Sequence, residues 1–148
     1  MAPRRNARGF DYQALAQFRY EIRRYLTFGK RAARAAGIDA QQYQALLAIK
    51  GLPPSSQATV GALAEQMQIR HHSAVELSER LARNGWMRRS RSLTDRRVVL
   101  LQLTGRGEKL LAKLSLSHRS ELRTAGPRLI EALQTAIAYK RRLHAGTR

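Results

Sequence analysis

The sequence predicts a mainly α fold that carries one small β-hairpin. Apolar residues recur at intervals of three and four through most of its 148 residues, the period of helices with one buried face. That period breaks once, after Gly85, into two short alternating stretches around a polar turn. A hydrophobic content of 43% over this length suits one domain with a real core.

Residues 1–9 read as a flexible basic arm, and residues 10–148 as a single domain. From Phe10 onward Leu15, Phe18, Ile22 and Tyr25 or Leu26 define a first helix to about Ala36, which Gly37 stops. Asp39 can cap a second helix that buries Tyr43, Leu46 and Leu47 and ends near Gly51; Pro53 and Pro54 forbid its continuation. Thr59 can cap a short third helix bearing Val60, Leu63, Ala64 and Met67. After a turn at Gln68 and Ile69, a fourth helix places Ala74, Leu77, Ser78 and Leu81 on one face. Its start has competing readings: Ser73 and Glu76 have capping-box spacing, while Arg70 or His71 can equally open the helix. Asn84 and Gly85, which tolerate the left-handed conformation, end it.

Two strands follow, at 86–92 and 97–103, around the turn Leu93-Thr94-Asp95-Arg96. Val99, Leu101 and Leu103 share one face of the second. Thr104 can cap a fifth helix with an apolar stripe of Leu110, Leu111 and Leu114. Gly126-Pro127 is expected to open a sixth, with proline at its first position, along which Leu129, Ile130, Leu133 and Ile137 repeat. Helices followed by a hairpin make a winged helix-turn-helix arrangement over about 39–104. The flanking helices, about 10–36 and 105–144, carry apolar sides with no evident partner inside that module. A dimer interface supplies one.

Lys and Arg number 28 against 10 Asp and Glu, a formal charge of +18. Such an excess repels itself in a compact state and calls for a polyanionic partner, with nucleic acid foremost. No apolar run approaches the roughly 18 residues of a membrane span. Neither end has a lipidation signal, and the basic N-terminus lacks the apolar block of a secretory leader. With no cysteine, disulfides, thiolate metal sites and cysteine redox sensing are excluded, which fits a cytoplasmic protein.

The informative stretch is Val60 to Lys109. Val60 to Met67 reads as the first helix of a helix-turn-helix unit, with small Ala64 at the crossing. The fourth helix, about 70–83, is the one expected in the major groove, with Arg70, His71, His72, Ser73 and Glu76 towards the bases. Between Arg88 and Arg97, five arginines (Arg88, Arg89, Arg91, Arg96 and Arg97) surround the single acid Asp95. A thin, Arg-rich hairpin suits the minor groove, where narrow A·T tracts concentrate negative potential. Asp95 is placed to pair with Arg97 and aim its guanidinium there.

Three pieces in order, Leu81-Ala82-Arg83-Asn84-Gly85-Trp86-Met87-Arg88-Arg89, Asp95-Arg96-Arg97 and Leu103-Thr104-Gly105-Arg106-Gly107, resemble the signature of the MarR family of transcription regulators. The resemblance covers roughly Leu15 to Leu143. It implies a homodimer formed by the terminal helices, each winged helix reading one half-site of an inverted repeat in double-stranded DNA. It further implies that Arg97 is the minor-groove residue and that Asp95 orients it. Trp86 and Met87 depart from the family, standing where smaller aliphatics are usual. Many members answer to small aromatic acids; no residue here singles out an effector.

Other readings of the same residues are weaker. Adjacent His71 and His72 point about 100° apart on a helix and chelate poorly, so no metal or other cofactor is expected. Trp86 reads as core, and Tyr25, Phe28 and Tyr43 as packing residues before cleft residues. No phosphate loop, nucleophile elbow or metal-ligand spacing marks an enzyme. The rival function is an architectural DNA-binding protein with little sequence preference, which charge alone would suit.

Overall fold

The structure, a computed structural model, describes residues 12–142, with side chains through residue 138. The expected arm at 1–9, the helix start at Phe10 and the last expected helical residues, 143 and 144, lie outside the described residues. In order come α1 (Tyr12–Ala35), α2 (Ala40–Lys50), α3 (Val60–Met67), α4 (His71–Arg83), β1 (Met87–Arg91), β2 (Val99–Leu103) and α5 (Gly105–Arg142). The chain forms two compact units, one of Lys30–Ser117 and one joining Met1–Gly29 to His118–Arg148.

The unit Lys30–Ser117 is the mainly α fold with a hairpin that the sequence predicts. Helices α2, α3 and α5 start where short polar side chains satisfy the orphan N–H groups of a first helical turn. Asp39 Oδ1 accepts from the Gln41 and Gln42 amides at 2.8 and 3.3 Å. Thr59 Oγ1 accepts from Ala62 N at 3.0 Å, and Thr104 Oγ1 from Gly107 N at 3.1 Å. Gln68, at φ 53°, ends α3 in the left-handed region. The fully buried Leu46, Leu63, Leu77 and Leu81 centre the core, which Trp86, Met87, Leu101, Leu103, Leu111 and Leu114 extend. β1 pairs antiparallel with β2, Met87 facing Leu103 and Arg91 facing Val99. Beyond β2, Leu101 N donates to Ala58 O at 2.9 Å and Thr59 bridges Leu100, so the approach to α3 adds a short third rung to the sheet.

In the other unit the buried positions are small or polar. On α1 they are Ala14 and Glu21; on α5 they are His118, Ala125 and Ala132. Each set is spaced by seven, the repeat of a helix seam. Phe28 meets His118 edge-on, with centroids 5.9 Å apart. Further along, Arg128 Nε stands 3.6 Å from Glu21 Oε2, so the two helices run antiparallel.

Several expectations are corrected. Helices five and six are one helix, and Pro127 lies inside it. Proline forfeits one backbone bond and crowds the preceding turn. Gly126, however, lacks the Cβ that proline would strike in a helical neighbour. Ala125 and Ala132 are both buried, so one seam holds the helix on either side. Leu47 is exposed, being rotated off the α2 face that buries Tyr43, Leu46 and Ile49. Leu15, Leu26, Ile130, Leu133 and Ile137 are exposed, in keeping with the expected apolar sides that lack a partner within the chain's winged-helix module. The strands are shorter than expected, beginning at Met87 and Val99, because Trp86 is engaged in closing α4. The Ser73–Glu76 capping box does not form: α4 starts at His71, with Arg70 at the cap and no side-chain bond there.

Candidate nucleic-acid interface

Helix α4 is positioned by its buried side. Ala74, Leu77, Ser78 and Leu81 face the core, and Ser78 turns its hydroxyl back to Val75 O at 2.7 Å, where it leaves no buried polar group unmet. The opposite side of α4 then points to solvent. Arg70, His71, His72 and Glu76 are exposed, and Ser73 is half-buried in the first turn. The structure thus brings together five of the residues predicted to read bases. Arg80 and Arg83 continue this face. Arg80 Nη2 reaches Gln41 Oε1 at 3.5 Å, a link from α4 to the start of α2 that sequence spacing cannot show.

The close of α4 is built around one glycine. Gly85 adopts φ 75°, which an L side chain resists, while Asn84 stays right-handed. Trp86 N then donates to Leu81 O at 2.9 Å. From the other side Thr104 Oγ1 donates to Gly85 O at 2.6 Å, and Arg106 Nη1 to Asn84 O at 2.6 Å. The Arg106 guanidinium also lies 3.9 Å above the Trp86 ring, a cation–π contact. Gly107 completes the joint, since a Cβ there would collide with the Trp86 carbonyl oxygen. The Leu-Thr-x-x-Gly motif is therefore a clamp that ties the start of α5 to the end of α4. The sequence does not single out Arg106 for the interface; its signal, an arginine between two glycines in a chain with one tryptophan, is weak without the fold.

The hairpin forms a braced wing. Asp95 holds Arg97 three times: Oδ1 accepts from Arg97 N and Nε, each at 3.1 Å, and Oδ2 from Nη2 at 3.2 Å. These bonds, first the side-chain ones and then the backbone one, hold the Asp95 carboxyl below the usual range. The Arg97 side chain remains 92% exposed, so the pair orients the guanidinium without hiding it. Arg91 Nη1 donates to Arg96 O at 2.9 Å, which makes Arg91 a strut of the turn. Ser92 is buried at the base, where its Oγ accepts from Thr94 N and Asp95 N at 3.3 and 3.4 Å. Arg88 and Arg96 are exposed. Arg89 is partly withdrawn, with Nη1 3.8 Å from Glu79 Oε1. It ties β1 to α4, and this coupling was not anticipated.

Among the described residues no group of three or more His, Asp or Glu stands where it could hold a metal ion. Among them, too, no helix is long and apolar enough to cross a membrane. Tyr43 packs into the core of its unit.

The MarR family model matches residues 38–99, which run from the cap of α2 to the start of β2. No curated protein matches the sequence significantly. Solved structures do resemble the fold. One is a MarR family transcription regulator, 19% identical, aligned over 90% of each chain with a TM-score of 0.71. AbsC, a MarR family transcriptional regulator from Streptomyces coelicolor, is 18% identical, with 91% of this chain and 95% of that one covered and a TM-score of 0.68. Overoxidized AbfR bound to DNA is 20% identical over 86% and 92%, with a TM-score of 0.60. Residues 38–99 thus match the MarR family, in a chain whose fold resembles that of solved MarR family transcription regulators.

Proposed function

We propose that this chain is a transcription regulator that binds double-stranded DNA as a homodimer, one winged helix on each half of an inverted repeat. The observation that carries this reading is the pairing of two readers within one unit. An exposed polar face on α4, suited to a major groove, accompanies a wing whose Arg97 is aimed by Asp95. Arg70, His71, His72, Ser73 and Glu76 discriminate bases; Arg88, Arg96 and Arg97 engage phosphates and the minor groove. Arg89 and Arg91 hold the wing in register.

The second copy is supported by the helical unit, where Ile130, Leu133 and Ile137 lie exposed on α5 and Leu15 and Leu26 on α1. Patches of this kind mark interaction surfaces. Two recognition helices about one turn apart would occupy successive major grooves, and the bound dimer would repress by blocking polymerase. A small-molecule effector releases DNA to the extent that it prefers a dimer with wrongly spaced helices.

The test is selection of bound duplexes from a random library at physiological salt. An enriched inverted repeat with half-sites about one turn apart supports the reading. Binding without enrichment, collapsing as salt rises, would favour the architectural alternative that a charge of +18 equally serves.

A further inference from the structure

Of the eleven large apolar side chains exposed among the described residues, nine lie on α1 or α5, the helices assigned above to a second copy. Leu47, on α2, is about half covered. Leu93 stands apart. It is 95% exposed, against 71% for the next, Leu116, and it sits between the two strands of the wing, where the proposed dimer surface does not lie.

Its backbone is not free to fold the side chain away. On one side is the buried Ser92, whose N donates to Val98 O at 2.9 Å and whose hydroxyl lies 3.0 Å from Thr94 Oγ1. On the other, Val98 N closes the turn on Asp95 O at 3.0 Å, and Arg91 clasps Arg96 O. A leucine is therefore presented to solvent on a braced turn, four residues from the Arg97 guanidinium. The neighbouring arginines supply charge; none supplies apolar surface.

We propose that Leu93 is the wing's apolar contact with DNA, entering the minor groove beside Arg97 and favouring A·T over G·C steps. The inference rests on the DNA-reading function proposed above. Minor-groove proteins set leucine and similar side chains against sugars and base edges. The minor-groove edge of G·C carries the guanine N2 amino donor, which A·T lacks. Leucine offers that donor no acceptor, so covering it leaves a polar group unmet. Arg97 responds to groove potential and Leu93 to the chemistry of the groove floor. The two contacts differ in salt dependence, because an apolar contact releases no counterion.

The experiment measures affinity by fluorescence anisotropy across a salt series, using the duplex enriched in the selection above, for wild type, Leu93→Ala, Leu93→Met and Arg97→Ala. Leu93→Ala is expected to bind about 5- to 20-fold more weakly, the loss of a largely covered leucine, with the salt slope unchanged. Leu93→Met keeps the apolar contact and stays within about twofold of wild type. Arg97→Ala lowers the slope by about one. Placing G·C pairs in the segment under the wing weakens wild-type binding, replacing their guanine by inosine, which lacks the N2 amino group, restores it, and neither change moves Leu93→Ala. The inference is overturned if Leu93→Ala binds like wild type, if its salt slope falls with its affinity, if Leu93→Met loses as much as Leu93→Ala, or if inosine moves both proteins alike. Should the selection enrich no duplex, the regulator reading itself fails, whatever Leu93 does.

Discussion

The two compact units bury opposite kinds of side chain. Lys30–Ser117 closes on large apolar residues, with Leu46, Leu63, Leu77 and Leu81 fully buried. The unit of Met1–Gly29 and His118–Arg148 buries Ala14, Glu21, His118, Ala125 and Ala132, and it leaves Leu15, Ile130, Leu133 and Ile137 outside. Burial of apolar area is the main stabilising term of a fold. The first unit has that term within itself. The second has spent its small residues on bringing two helices close, and its large ones await a surface.

The sharpest way to break the comparison is to empty the self-contained core. Leu77→Ala removes a fully buried side chain and is expected to cost about 2–5 kcal/mol, read as a fall in the urea midpoint. A stability within error of wild type would show that this unit is not closed on its own core. Next comes the open face. Leu133→Glu combined with Ile130→Glu alters two exposed positions, so an unpartnered helix would tolerate it within about 0.5 kcal/mol. With a second copy on that face, burying unpaired carboxylates weakens association by about 2–4 kcal/mol, visible by sedimentation as conversion to monomer. An unchanged mass distribution would remove the dimer from this surface.

Gly107→Ala probes the joint between α4 and α5. The added Cβ meets the Trp86 backbone rather than a movable side chain, for an expected loss of about 1–3 kcal/mol in thermal stability. The smallest effect concerns pH. The Asp95 carboxyl titrates below its ordinary value because Arg97 bonds to the ionised form. A depressed folded-state pKa stabilises the pair above the unfolded value and loses that stabilisation as pH falls through the folded one. Between neutral pH and about pH 5 the wing should therefore hold, and a carboxyl-carbon NMR titration should place the Asp95 midpoint below that of an unpaired aspartate. A midpoint at or above it would mean that the pair does not form in solution.

Much of this was readable locally. Asp39, Thr59 and Thr104 were legible as caps, and Gly85 as a terminator, because a cap joins residues two or three apart and needs nothing remote. The Asp95–Arg97 pair spans two positions and could be anticipated for the same reason. Arg80 with Gln41, Arg89 with Glu79, and Arg106 over Trp86 join residues 10 to 39 apart in sequence. No period or motif encodes such meetings before the chain has folded. They show that Arg89, expected at the interface, also ties β1 to α4.

By itself, the sequence determined the order of elements up to the start of α5, the apolar period of the long helices and the chemistry of the exposed α4 face and the hairpin. These follow from propensities and spacings within a turn or two. Tertiary structure decided the rest. It let α5 continue through Pro127, because a seam of Ala125 and Ala132 holds both sides of a proline whose preceding residue has no Cβ. It opened α4 at His71, where the core sets the helix start without a side-chain cap. It also turned the large apolar side of the long helices outward, since periodicity identifies an apolar face but not what covers it.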